Sequence, residues 1–360
     1  MKFILAVILS VFLVTACTTQ TIQPQPEEQK TYKIGVLASM TGSAAVYGEA
    51  YTKGIQKAAD EINAEGKKVE IIIEDNKNDP KEGIAAYERL KLKNPDIIFS
   101  TMSGPTQAIV PLAQADSKPV VMSLTITPIN KNYPNSYRYF FSAEEYKHEL
   151  VKFYKKNNVK TVALYYVNNE AGVNAANVLR KDLTEAGFTI IAEESTIPTE
   201  TDHKTGLTKI VSKKPDTIFV WSLRPDLIAG PLKELYAGPV VYNEPAAVSR
   251  WYLTMPQFEG TYMMTFPSTV SNTPEGAKFN SVYGETQNGY AAFGYDVMKM
   301  VHNALENGAT PNTLVSALSS MSTYEGTTGK MMFSNELREA NAPMIMTQVK
   351  NKQLIRVDVN

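Results

Sequence analysis

Ser39-Met40-Thr41-Gly42-Ser43 is the stretch best placed to do chemistry, because a short apolar run ends on it and a helical pattern opens just after Tyr47-Gly48. At such a turn free backbone N–H groups and the helix dipole favour an anion or a carboxylate. The turn reads MTGSAAVYG and holds neither GxGxxG nor GxxxxGK(S/T), which argues against a nucleotide. Catalytic chemistry has less behind it. His148, His203 and His302 are far apart, and none has the HExxH or Cys/His spacing of a zinc site. No GxSxG elbow occurs, and the only cysteine is Cys17, so acyl transfer lacks a nucleophile. In Asp75-Asn76-Lys77-Asn78-Asp79 a lysine takes a calcium-ligand position and no glycine stands sixth, which reads as a solvated loop capping the next helix. Carboxylates are plentiful, so a two-carboxylate sugar hydrolase is the enzymatic alternative, yet no particular pair stands out. Trp221 and Trp251 could stack a sugar, but isolated tryptophans more often pack between elements. The expectation is a binding protein, not an enzyme, with no cofactor and no metal.

The elements that must carry the turn follow from periodicity. Ile34, Val36 and Leu37 form a strand; Tyr51, Ile55, Ala58, Ala59 and Ile62 recur at helical steps up to a stop at Gly66; Val69 to Ile73 is a second strand ending in Glu74-Asp75. Strand, helix, strand in this order predicts a parallel pair with a right-handed crossover. The alternation continues with a helix from Asp79-Pro80 to Leu92, a strand Ile97 to Ser100, a helix Thr106 to Ala115 and a strand Pro119 to Ser123. Tyr137-Arg138-Tyr139-Phe140-Phe141 reads as a crossing between lobes. A second series follows: helix 144–157, strand 161–167, helix 172–186, strand 188–193, helix 203–212, strand 217–221, helix 225–236 and strand 239–242. The fold class is therefore α/β, with two doubly wound parallel-sheet lobes whose strand-end loops face a common cleft.

Composition sets the class. At 360 residues the chain exceeds what one hydrophobic core usually serves. A formal net charge of −1 argues against a nucleic-acid partner. Met1 to Cys17 reads as an export signal, with Lys2, an apolar core from Phe3 to Val14 too short to span a membrane, and small residues before Cys17. Val14-Thr15-Ala16-Cys17 resembles the lipobox of bacterial lipoproteins, which implies cleavage before Cys17 and a lipid on its thiol. Thr18 to Lys30 is polar and aperiodic, a flexible tether. The expected location is the bacterial cell envelope, outside the cytoplasm and lipid-anchored.

Met40-Thr41-Gly42 leading to Tyr47-Gly48, and the helix end Ala58-Ala59-Asp60-Glu61-Ile62-Asn63, resemble the branched-chain amino-acid binding proteins of ABC importers. Asp79-Pro80, Ser103 to Gln107, Thr125 to Pro128, Arg224-Pro225-Asp226, Glu244, Tyr295-Asp296 and Gly326-Thr327-Thr328-Gly329 fall in the same order, so the likeness covers residues 32 to 357. It implies the type I periplasmic binding protein fold, two lobes joined by three crossings. The implied boundaries are 1–16 for the signal and 17–30 for the lipidated Cys and tether. The first lobe takes 31–140 plus 267–322, and the second 141–266 plus 323–360. The resemblance also implies that first-lobe loops hold a ligand carboxylate with hydroxyls and backbone N–H groups, and that a second-lobe acid takes its ammonium. Ser103, Thr125 or Thr127, and the backbone at Leu124 match the first role; Glu244 matches the second. Tyr47 matches an aromatic residue closing over the ligand and Tyr290 one lining the side-chain pocket. Ile126 stands where the family usually has threonine. In the loop after Val167 this chain has Asn168-Asn169-Glu170-Ala171 instead of the common aromatic residue, and after Trp221 it has Leu223-Arg224, so Asn169 and Arg224 complete the candidate set. The bland alternatives are helix caps for Ser103 and Thr125, a surface pair with Arg250 for Glu244, and a core position for Tyr47. The partners implied are an amino-acid-like solute, ABC importer membrane subunits and the membrane. The second reading is an envelope lipoprotein of the same fold that regulates another protein.

Overall fold

In the computed structural model, which describes residues 30–284 and 288–359, the opening apolar run forms strand β1 (Tyr32–Ala38), followed by helix α1 (Ala45–Ala64) and strand β2 (Val69–Asp75). β1 and β2 pair in parallel from Tyr32 with Val69 to Ala38 with Asp75. Helix α2 (Pro80–Lys91) starts where Asp79 accepts the N–H groups of Lys81 and Glu82, as the Asp79-Pro80 pair predicts. Strand β3 (Ile97–Thr101), helix α3 (Ser103–Ala115), and strands β4 (Val120–Ser123) and β5 (Ser136–Phe140) complete the first run. Its central strands are buried along their length, as expected where helices cover both faces of a parallel sheet.

The second run repeats the scheme. It comprises α4 (Tyr146–Lys156), β6 (Thr161–Val167), α5 (Glu170–Glu185), β7 (Thr189–Thr196), α6 (Lys204–Ser212), β8 (Thr217–Trp221), α7 (Pro225–Leu235), β9 (Val240–Tyr242), the short α8 (Pro245–Val248) and β10 (Tyr262–Thr265). Helices α9 (Pro274–Tyr283), α10 (Tyr290–Glu306) and α11 (Leu314–Ser319) come next. A two-residue hairpin, β11 (Glu325–Gly326) and β12 (Gly329–Lys330), precedes β13 (Met332–Ser334), β14 (Glu339–Asn341), β15 (Ile345–Lys350) and β16 (Gln353–Arg356). α10 packs along α1 at backbone contact: a Cβ on Gly54 would sit 2.0 Å from the Ala291 carbonyl oxygen, and one on Gly294 2.0 Å from that of Tyr51. Only glycine admits this approach.

The sheets run β13-β14-β5-β4-β3-β1-β2 and β16-β15-β10-β9-β8-β6-β7. Both belong to one contact-dense unit, Thr31–Asn360. In each, strand order reverses beside the first strand of the run, at β1/β3 and at β6/β8. A doubly wound sheet binds its ligand at such a switch point, outside the carboxyl ends of the strands.

Three expectations need correction. Tyr137 to Phe140 is not a crossing but the body of β5; alternate aromatic side chains bury well on both faces of a covered sheet, and the chain leaves for the second lobe only after Phe141. Residues 323–341 do not go with the second lobe: β14 pairs in parallel with β5 and β13 with β14, so both extend the first sheet, and the return to the second comes between Asn341 and Ile345. A buried ion pair fixes this edge, with Arg138 on β5 2.6 Å from Glu339 on β14. Arg138 also donates to the Phe141 carbonyl, 2.8 Å away, and so ties two crossings to one side chain. Finally, the loop 75–79 is only partly solvated. Asn76 is fully buried, accepts from the Ser39 hydroxyl at 2.7 Å and donates to the Leu37 and Thr101 carbonyls, pinning the ends of β1 and β3. The export signal, Cys17 and the tether up to residue 29 lie outside the described residues.

Candidate functional site

The strand ends of both sheets meet around a cavity of about 220 Å³. In the first lobe Met102 directly follows β3 and Leu124 directly follows β4, and both residues hold left-handed backbone angles, φ +69° and +52°. Non-glycine residues rarely adopt that region, and such strain gathers at functional sites. At Met102 it turns the chain straight into α3, so Ser103 and Gly104 stand at the helix N-terminus and line the cavity. Their backbone N–H groups have no partner within the helix, and the dipole there favours a carboxylate. The Ser103 hydroxyl is buried and has no hydrogen-bond partner among the described residues.

In the second lobe Asn243-Glu244 directly follows β9 and leads into α8. Glu244 is 3% exposed and accepts from the Tyr146 hydroxyl and, at 3.3 Å, from that of Tyr290 at the start of α10. Burial raises its carboxyl to about 7, and the tyrosine hydroxyls only partly offset that. Asn169 caps α5 by accepting from the Gly172 N–H at 2.9 Å and lines the cavity beside Glu170 and Ala171. Phe140, Trp221 and Tyr290 supply aromatic wall. Among the described residues no lysine, arginine or histidine lines this cavity.

The two lobes touch across the opening. The Tyr47 hydroxyl, at the start of α1, donates to the Leu223 carbonyl after β8 at 2.8 Å, and Asn174 on α5 reaches the Ile126 carbonyl at 3.5 Å. The Tyr47 ring stands edge-on to Tyr290 with centroids 5.3 Å apart. These contacts bridge the two lobes beside the cavity.

Of the sequence candidates, Ser103, Leu124, Asn169, Glu244 and Tyr290 line the cavity, and Tyr47 stands behind Tyr290. Thr125 and Thr127 do not. The left-handed turn at Leu124 sends 124 and 126 inward; Thr125 turns back and donates to the Ser123 carbonyl at 3.0 Å, and the Thr127 hydroxyl is buried without a partner among the described residues. Ile126 lines the wall instead. Arg224 lies in a narrower recess next door, with His203, and its guanidinium grips Asp226 through two bonds of 3.0 and 2.8 Å. The Ser39–Ser43 turn is a weaker anion cradle than its position predicts. Asp75 takes the N–H groups of Met40 and Thr41 together with the Thr41 hydroxyl, which leaves Ser43 to reach the cavity. Sequence reasoning missed Glu170 as a lining residue, and Phe140 was hidden by the misread crossing. Position at the carboxyl end of a strand was the available signal for both. Among the described residues no group of three or more His, Cys, Asp or Glu is arranged to hold a metal.

Comparison with known proteins places this geometry. A family model for periplasmic binding proteins matches residues 31–353. The Leu/Ile/Val-binding protein BraC3 of Rhizobium johnstonii is 24% identical over 239 residues, 63% of this chain and 65% of that protein, just under two thirds of its length. In structure the chain is similar to a leucine-binding protein, LivK, of Thermotoga maritima, with a TM-score of 0.81, 22% identity, and coverage of 91% of this chain and 98% of the other. It is similar too to an ABC-transporter solute-binding protein of Rhodopseudomonas palustris solved with 3,4-dihydroxybenzoic acid, with a TM-score of 0.79, 20% identity, and 91% and 96% coverage. With the family model covering nearly all of the body and two doubly wound sheets sharing one cleft, the chain belongs to the periplasmic binding protein family and has its type I fold.

Proposed function

We propose that this protein is an extracytoplasmic solute receptor that closes its two lobes over an amino-acid-like ligand and presents the closed form to an ABC importer. The observation that carries the reading is the polarity of the cavity. One wall offers neutral donors, the Ser103 hydroxyl and the N-terminus of α3, while the facing lobe offers the buried carboxylate of Glu244. Neutral donors suit a carboxylate, and a desolvated carboxylate suits an ammonium, so a zwitterion satisfies both walls at once. A ligand touching both lobes favours the closed state by its differential affinity for it. The Tyr47–Leu223 hydrogen bond, which joins the two lobes, supports such a closure.

The lipobox-like residues before Cys17 support a lipid anchor, with the polar tether as spacer. Changing Cys17 to serine should then release the protein from washed membranes into the soluble fraction; a variant that stays bound refutes the anchor. For the ligand, calorimetric titration against amino acids, small acids and amides should find binders among the amino acids. Ser103→Ala should weaken binding about tenfold by removing a charge-assisted hydrogen bond, without destabilising the ligand-free protein, since its hydroxyl bonds nothing there. Absence of any small-solute response would overturn the receptor reading in favour of a protein regulator.

A further inference from the structure

The charge of the cavity does not balance with an ordinary zwitterion. Glu170, the first residue of α5, lines it together with Glu244, and among the described residues no cationic side chain does. Glu170 is half-buried, and among the described residues its carboxylate makes no ion pair and no hydrogen bond. Burial holds its carboxyl above the ordinary range. A second, independent sign points to a ligand. Ser103 lines the cavity at 3% exposure, and its hydroxyl is a buried polar atom that meets no partner among the described residues. Native proteins leave few such atoms unsatisfied, and those that remain call for an explanation.

An amino acid with an apolar side chain brings one ammonium for Glu244 and one carboxylate for Ser103 and α3. Closing over it would leave Glu170 desolvated with no counter-charge, an unfavourable state for a carboxylate. Ala171 next to it is small and also faces the cavity, which leaves room beside the carboxylate. Resting on the solute-receptor reading, we propose that the ligand is a cationic amino-acid-like compound, whose side chain carries a second positively charged nitrogen to Glu170. Trp221 and Phe140 wall the apolar stem between the two nitrogens. The second lobe then supplies both carboxylates, and the first supplies neutral donors and apolar surface. The α5 dipole also favours an acid at its first turn, but that effect is met as well by an acid pointing to solvent and gives no reason for this one to line a closed cavity.

The test is a titration of the purified protein with two matched pairs, lysine against norleucine and ornithine against norvaline, which differ in the side-chain ammonium. We expect the cationic member to bind at least about tenfold more tightly in one pair or both, the scale of a charge-assisted contact. Glu170→Gln should lower affinity for the cationic member and raise it for its apolar partner, bringing their ratio close to one. Equal or tighter binding of norleucine and norvaline overturns the proposal while leaving the amino-acid receptor intact, and so does a cationic preference that survives Glu170→Gln. Failure of all four probes overturns both.

Discussion

Replacing Glu244 with glutamine should stabilise the ligand-free protein while abolishing binding, and the pH at which it does so is set by the site. Burial lifts the Glu244 carboxyl from 4.5 to about 7 in this ligand-free structure. Below pH 4.5 the group is protonated whether the chain is folded or not, and no penalty applies. Between 4.5 and about 7 the unfolded chain loses that proton while the native site keeps it. The native state then binds more protons, so stability falls as pH rises through this window and levels off above it. The full loss is about 3 kcal/mol, from the separation of the two values. Glutamine removes the ionisation, and its amide can still accept from one tyrosine hydroxyl and donate to the other. Scanning calorimetry of ligand-free protein should therefore show equal Tm for the two proteins near pH 4 and a gap widening to roughly 5 °C in favour of the variant at pH 8. A gap that stays flat across that range, or a variant that melts lower at pH 8, would refute the argument that Glu244 is held at a desolvation cost.

Two further changes probe closure and the sheet edge. Tyr47→Phe removes the hydroxyl that bridges the lobes to Leu223 and should raise the ligand Kd roughly fivefold, the worth of about 1 kcal/mol, with little change in unfolding midpoint; an unchanged Kd would mean the bridge does not favour closure. Arg138→Ala leaves Glu339 buried without its partner and should cost about 3–5 kcal/mol in urea denaturation, whereas a loss below 1 kcal/mol would show that water reaches the pair.

Much of the fold was legible along the chain. Apolar periodicity marks α1 through Tyr51, Ile55, Ala58, Ala59 and Ile62, all buried as the pattern requires. Asp79-Pro80 announces the start of α2 and supplies its cap. Helices that begin at a strand end were read late: α3 opens at Ser103 rather than Thr106, because SGPT at its start looks like a loop and the backbone strain at Met102 that drives the turn has no sequence signature. The aromatic run of β5, buried on both faces, shows no alternation of apolar and polar residues and therefore reads along the chain as a crossing.

What the sequence determined by itself is local: which segments are strands or helices, that they alternate, and that ligand chemistry must sit in the loops at strand ends. Those follow from periodicity, caps and backbone geometry, which act over a few residues. What only the tertiary structure decided is orientation and environment. One left-handed residue at Leu124 turns Ile126 rather than Thr125 or Thr127 toward the cavity. Glu244 gains its raised carboxyl from burial against Tyr146 and Tyr290, residues 98 and 46 positions away. Glu339 finds Arg138 across 201 positions and so returns the late strands to the first sheet. Desolvation and pairing are properties of neighbours in space, and those neighbours are chosen only when the whole chain has packed.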